Sequence, residues 1–175
     1  MGWEAISVDK LPLIFDLLYQ QDQVEGNSFS FYLTKNAGQA GSALVLGGVN
    51  TKYAVEDFKY YNLLSRDYWR IQMEDVVFNN TSYKEKSNVQ AIIDTGTSVI
   101  AGPTRIVEEM TKGFGPGREK QVDCAQISTY PNLEFKFGGD NYVLKPEDYI
   151  LKVTQGTQTS CIVGILGINL PPQLG

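Results

Sequence analysis

The sequence predicts a mainly β fold with two short helices. Three observations carry that prediction. Strand-length runs recur along most of the 175 residues, several with alternating apolar and polar positions. Seventeen Gly and seven Pro punctuate these runs with turns. Two segments alone carry the 3.6-residue apolar spacing of an amphipathic helix. A hydrophobic fraction of 42% is enough for a sizeable core and argues against disorder.

The first helix is expected over residues 9 to 21. Asp9 is the candidate N-cap, Pro12 sits in the first turn, and Leu11, Ile14, Phe15 and Leu18 form one apolar face. Gly26 and Asn27 mark the turn after it. From Ser28 to Leu33 the pattern alternates, with Phe29, Phe31 and Leu33 on one face. A turn at 36–41 leads to a second strand from Ser42 to Leu46, ended by Gly47 and Gly48, so a hairpin is expected. Further strands are expected at Phe58–Tyr61, Tyr68–Met73, Asp75–Phe78, Val89–Ile93, Leu133–Phe137 and Asn141–Leu144, the last two joined by Gly138, Gly139 and Asp140. The second helix is expected to open at Pro103 as its first helical residue, with Ile106, Val107 and Met110 on its buried face and Gly113, Gly115 and Gly117 ending it. Lys145 to Asp148 reads as one short helical turn. There is no internal repeat and no low-complexity segment, and the composition changes near Asn50.

The chain contains no histidine, which excludes Ser-His-Asp and Cys-His catalysis and any His-ligated zinc. Two cysteines cannot make a four-thiolate metal site, and no metal or cofactor is expected. Acid–base work would fall to carboxylates, Lys, Tyr or the backbone. With a net charge of −5 and its densest basic cluster, Lys84-Glu85-Lys86, interrupted by an acid, the chain offers no nucleic-acid surface. The most apolar stretch, Cys161 to Leu170, is too short to span a membrane and is broken by Gly164, Gly167 and Asn169. The N-terminal residues have neither a basic region nor an apolar signal core, and Ile6 stands where a myristoylation motif needs Ser or Thr. Any targeting segment is therefore expected to lie outside this sequence.

One segment stands apart: Ala91-Ile92-Ile93-Asp94-Thr95-Gly96-Thr97-Ser98. An apolar strand delivers a carboxylate at its end. Gly96 permits a tight turn and the close approach of another group. Nearby hydroxyls and N–H groups can hydrogen-bond the carboxylate and favour its ionised form. The plainer reading is a capping Asp at a strand-to-turn transition. A bare Asp-Thr-Gly recurs by chance, but here it is flanked by an apolar pair, by Thr97 and Ser98, and by Ala101-Gly102-Pro103-Thr104.

With these residues the sequence resembles the pepsin-like aspartic proteases, mainly their C-terminal half. Residues 92–110 match the family's second catalytic signature throughout. Pro12 to Leu18 resembles the helix late in the first lobe, Phe29 to Leu33 the strand after it, and Leu46-Gly47-Gly48-Val49-Asn50 the end of the next hairpin. Tyr68-Trp69-Arg70-Ile71 resembles the strand opening the second lobe's core. The resemblance implies the C-terminal lobe of a bilobal acid-protease β-barrel fold, plus a helix and strands from the inter-lobe region. Residues 1–50 would be the end of the first lobe and the inter-lobe sheet segment. Residues 51–175 would be the second lobe, lacking its last strands. It implies an aspartic endopeptidase in which two carboxylates share a proton and activate a water, with Asp94 as the second-lobe member. Thr95, Gly96, Thr97 and Ser98 would bind the extended peptide or support Asp94, and Ile92 and Tyr68 would be pocket walls.

Cys124 and Cys161 read as two buried thiols or as a bonded pair. The resemblance implies the second-lobe disulfide, and with it an oxidising compartment. The overlapping motifs of Asn79-Asn80-Thr81-Ser82 make Asn79 and Asn80 candidate glycosylation acceptors. A secreted, lysosomal or vacuolar protein is expected.

The departures from the family are as informative as the matches. The family's enzymes are much longer. Asp94-Thr95-Gly96 is the only copy of the signature, and no flap with its tyrosine is present. Met1-Gly2-Trp3 resembles the segment bracing the first-lobe catalytic loop. Residues 171–175 stand just before or at the matching second-lobe brace. Ile165-Leu166-Gly167 mimics that brace but follows Cys161 closely, and is expected to be the loop after the disulfide. An incomplete chain is expected, inactive alone, whose partners are a peptide or protein substrate and a missing N-terminal lobe supplying the second Asp. A non-catalytic pepsin-like binding or scaffold protein is the alternative. A homodimer is disfavoured by first-lobe residues it would not use.

Overall fold

The computed structural model describes residues 2–35, 40–84, 89–115, 117 and 120–169. Residues 36–39 of the turn expected at 36–41, the Glu85 and Lys86 positions and the segment 171–175 lie outside them. The described chain is mainly β and forms two compact units, residues 1–61 with 65–69 and residues 62–64 with 70–175.

The first unit holds helix α1 (Ile14–Gln20) and an antiparallel hairpin of β1 (Phe29–Tyr32) and β2 (Ala43–Leu46), with Phe29 opposite Leu46 and Tyr32 opposite Ala43. Helix α1 begins later than the apolar spacing suggests. Asp9 and Lys10 adopt left-handed backbone at φ 56° and 52°, so Asp9 caps nothing, and Leu13 precedes the helix instead. Leu11 is extended because the Pro12 ring disfavours helical geometry at the residue before it. Only Phe15 of the expected face is buried, while Ile14 stays 80% exposed. Aromatic rings build the small core. Phe15 and Trp69 each pack edge-on against Phe29, at 5.3 and 5.4 Å between centroids, and Trp3 lies 5.1 Å from Trp69. Gly26 is required beside the hairpin, since a Cβ there would stand 2.6 Å from the Gly47 carbonyl oxygen. Phe58–Tyr61 forms no strand, contrary to its composition. No described strand pairs with it, and Tyr60 is 86% exposed.

The second unit runs β3 (Arg70–Met73), β4 (Asp75–Phe78), β5 (Thr81–Ser82), β6 (Val89–Ile92), β7 (Ile100–Pro103), α2 (Thr104–Thr111), β8 (Gln121–Val122), β9 (Leu133–Phe137), β10 (Asp140–Leu144), α3 (Pro146–Tyr149), β11 (Ile150–Gln155), β12 (Gln158–Val163) and β13 (Ile165–Ile168). A four-stranded sheet has the order β10-β9-β4-β5, and a three-stranded sheet the order β11-β12-β8. Strand β3 pairs antiparallel with β6, and β13 pairs parallel with β7. Their shared core comprises Phe78, Val107, Met110, Ile127, Leu133, Tyr149, Ile150, Cys161, Val163 and Ile165. Val107 and Met110 of α2 point into it as the helical spacing requires. Thr111, fully buried on the same helix, satisfies its hydroxyl by donating to the Val107 carbonyl at 2.6 Å. The Tyr149 hydroxyl donates to the Pro131 carbonyl at 2.6 Å. The Cys124 and Cys161 sulfurs are bonded, their Cα atoms 5.4 Å apart, tying a 3₁₀ segment (Cys124–Thr129) to β12.

Two expectations fail here. Pro103 closes β7, with ψ at 128°, rather than opening α2, because it lies opposite Ile168 in the ladder and must stay extended. Ile165-Leu166-Gly167 is not a loop. Gly164 donates its N–H to the Tyr149 carbonyl and accepts from Ile100, and this sharp junction lets the chain leave β12 and enter β13 at once.

Candidate functional site

Asp94 stands two residues beyond the end of β6, where the ladder with β3 stops at the Arg70–Ile92 pair. Residues 93–99 then cross to β7. That strand is held on one side by β13, whose Ile165, Leu166 and Gly167 face Ile100, Ala101 and Gly102. Helix α2 follows β7 directly, and Val107 packs so closely on Gly102 that a Cβ there would lie 3.3 Å from a Val107 methyl. The loop carrying Asp94 is thus anchored at both ends by hydrogen-bonded strands, which suits a carboxylate that must be held in one place.

The carboxylate is exposed, and each of its oxygens accepts a hydrogen bond from its own turn. The Gly96 N–H donates to Oδ1 at 2.9 Å, and the Thr97 hydroxyl donates to Oδ2. The Thr97 hydrogen bond, then the Gly96 N–H, hold the Asp94 pKa below its ordinary value of 3.8, because both donors favour the charged form. A side chain at position 96 would put its Cβ 3.2 Å from Oδ1, so glycine gives the carboxylate its approach to the backbone. Thr95 and Ser98 flank the turn, exposed, and neither makes a hydrogen bond among the described residues. Ile92 and Ile93 are 38% and 53% exposed, leaving an apolar margin beside the acid.

The second unit therefore brings Asp94, Gly96 and Thr97 into direct contact, with Thr95, Ser98 and Ile92 adjoining. Tyr68 belongs to the first unit, where its N–H donates to the Asp67 carboxylate at 2.6 Å. Asn79 and Asn80 occupy the tip of the β4–β5 hairpin. Among the described residues, no group of three or more His, Cys, Asp or Glu side chains gathers as metal ligands would. No described helix is long and apolar enough to cross a membrane. The support that sequence reasoning missed is β13. Its signal is the Ile165-Leu166-Gly167 string itself, which its closeness to Cys161 disguises as a loop.

A family model described as eukaryotic aspartyl protease matches residues 1–174. Among curated proteins the chain is similar to "Cathepsin D" of Mus musculus, 39% identical over the whole of this chain and 44% of the relative. It is 38% identical to "Cathepsin D" of Homo sapiens, again over the whole chain and 44% of the relative. The protein of the same name from Clupea harengus is 38% identical, with 46% of its length covered. The chain thus spans less than half the length of these relatives.

Proposed function

Since the chain belongs to the eukaryotic aspartyl protease family, we propose that it is part of an aspartic endopeptidase and that Asp94 is one of its two catalytic carboxylates. The observation that carries this reading is the doubly hydrogen-bonded, exposed Asp94 carboxylate, held ionised by Thr97 and Gly96 at the end of a braced strand. An ionised carboxylate can take a proton from a water as that water attacks a peptide carbonyl. The second carboxyl must start protonated, to donate to the developing oxyanion. Two carboxyls placed together divide the labour in this way because both cannot ionise at once, and they titrate as a pair. Collapse of the tetrahedral centre breaks the C–N bond, and the departing amine takes a proton from the pair.

On this reading the partner aspartate comes from an N-terminal lobe outside the chain. The substrate is an extended peptide. Gly96, Thr97 and Ser98 line or support its path, and Ile92 forms a pocket wall. The bonded Cys124–Cys161 pair supports a secreted, lysosomal or vacuolar setting, because disulfides persist in oxidising compartments.

A quenched-peptide assay at acidic pH on the 175-residue chain, the parent protein and parent Asp94→Asn tests the proposal. The parent is expected to cleave. The variant should lose nearly all activity, since each acid–base step is worth about 10²–10⁴-fold. The chain alone should show no specific hydrolysis. An inactive parent, or one indifferent to Asp94→Asn, would favour a non-catalytic relative. Cleavage by the purified chain, abolished by Asp94→Asn, would mean that two copies pair their aspartates.

A further inference from the structure

We propose that Asn79 is an N-glycosylation site and that the overlapping motif at Asn80 is not used. Both residues sit at the tip of the hairpin between β4 and β5, with Phe78 opposite Thr81. Their φ angles of 49° and 59° are those of a two-residue primed turn, which favours Asn and Gly. Both side chains are exposed, and neither makes a hydrogen bond among the described residues. The two acceptor motifs differ in their hydroxyls. Asn79-Asn80-Thr81 relies on the Thr81 hydroxyl, which is exposed and has no partner among the described residues. Asn80-Thr81-Ser82 relies on Ser82, whose hydroxyl is held by both oxygens of the Asp75 carboxylate, at 2.9 and 2.8 Å. The fold therefore leaves one motif with a free hydroxyl and ties up the other.

The surroundings suit a sugar. The tip borders a shallow cleft of about 340 Å³ whose walls include Thr129, Pro131, Asn132 and Glu134. These offer hydrogen-bonding groups and one apolar ring to an N-acetylhexosamine. Strand β5 is the edge of the four-stranded sheet. A glycan at its first turn would shield that edge from pairing with another chain. The proposal rests on the oxidising compartment that the disulfide indicates, the setting in which asparagine acceptors in exposed loops are glycosylated. The reaction draws on a lipid-linked oligosaccharide diphosphate. A bond forms between Asn79 Nδ2 and the sugar C1, the C1–O bond to the diphosphate breaks with its electron pair leaving on the diphosphate, and the amide gives up one proton.

The test expresses the chain in a eukaryotic secretory pathway and recovers it from the lumen. Peptide N-glycosidase treatment in heavy-oxygen water then marks the glycosylated Asn as a labelled Asp within tryptic peptide 71–84. The expected label is on Asn79. Thr81→Ala, which destroys the Asn79 motif and keeps that of Asn80, should abolish the gel shift, whereas Ser82→Ala should keep it. Label on Asn80, a shift surviving Thr81→Ala, or unlabelled lumenal protein would each overturn the proposal. The readout is a mass and a mobility, so it stands or falls independently of any proteolytic activity at Asp94.

Discussion

Replacing both Cys124 and Cys161 with Ala should remove a large part of the second unit's stability. The bonded residues lie 37 positions apart. Closing a loop of that length in the unfolded chain stabilises the folded state by about 4 kcal/mol on the chain-entropy model. Domains of ordinary size are stable by only about 5–15 kcal/mol, so this one bond decides whether the unit is robust or marginal. Cys161 is 1% exposed within the main core, which makes Ala a better replacement than Ser, whose hydroxyl would be buried. Urea denaturation followed by tyrosine fluorescence is the assay. With a slope of about 2 kcal/mol per molar urea, the midpoint should fall by roughly 2 M. The slope should rise as well, because the uncrosslinked denatured chain exposes more surface. Reduction of the unmutated protein should reproduce most of the change, which separates loop closure from the loss of sulfur packing. A midpoint drop below about 0.5 M with an unchanged slope would refute the loop-closure reasoning.

Thr97→Ala should raise the Asp94 pKa toward 3.8, because it deletes the strongest of the contacts favouring the charged form. A depressed carboxylate adds stability above its unfolded pKa and loses it as pH falls through the folded one. The variant should therefore be less stable than the unmutated protein above 3.8 and converge with it in stronger acid. Carboxyl NMR titration checks the first point and acid denaturation the second; an unmoved titration would contradict the hydrogen-bond account. Tyr149→Phe should cost about 1–3 kcal/mol in denaturant, since it strands the Pro131 carbonyl that the hydroxyl satisfies at 2.6 Å. Burial first, then the negative charge of Glu147, push the Tyr149 pKa from 10.0 up to about 12, so its contribution is complete below 10 and lost as pH rises through 12. The Phe variant should lack that alkaline decline, and an equal decline in both proteins would count against it. Gly167→Ala would bring a Cβ to 3.0 Å from the Thr104 Cα and should destabilise the β7–β13 ladder by about 1–3 kcal/mol. An unchanged melting temperature would mean that the two strands separate without cost.

Local chemistry by itself determined several parts of this protein. Leu133–Phe137 reads as a strand because its apolar alternation commits one face, and Gly138 and Gly139 supply the left-handed turn that returns it as β10. Val107 and Met110 lie on the buried face of α2 because helical spacing leaves them no other. The Asp94 turn is also local: Gly96 and Thr97 reach the carboxylate within three residues, so the string of residues already contains the hydrogen bonds. What only the tertiary structure decided depends on partners distant in sequence. Thr154, Gln155, Gln158, Thr159 and Ser160 are polar on both faces, yet they form strands because β11 and β12 pair with each other, anchored where Ile150 and Val163 enter the core. Pro103 became the end of a strand, and not the start of a helix, because Ile168, 65 residues later, lies beside it. Phe58–Tyr61 has the composition of a strand but no described neighbour, and a strand exists only as part of a ladder. Hydrogen bonds that close over three residues are written in the local sequence; those that close over sixty become visible only when the chain is folded.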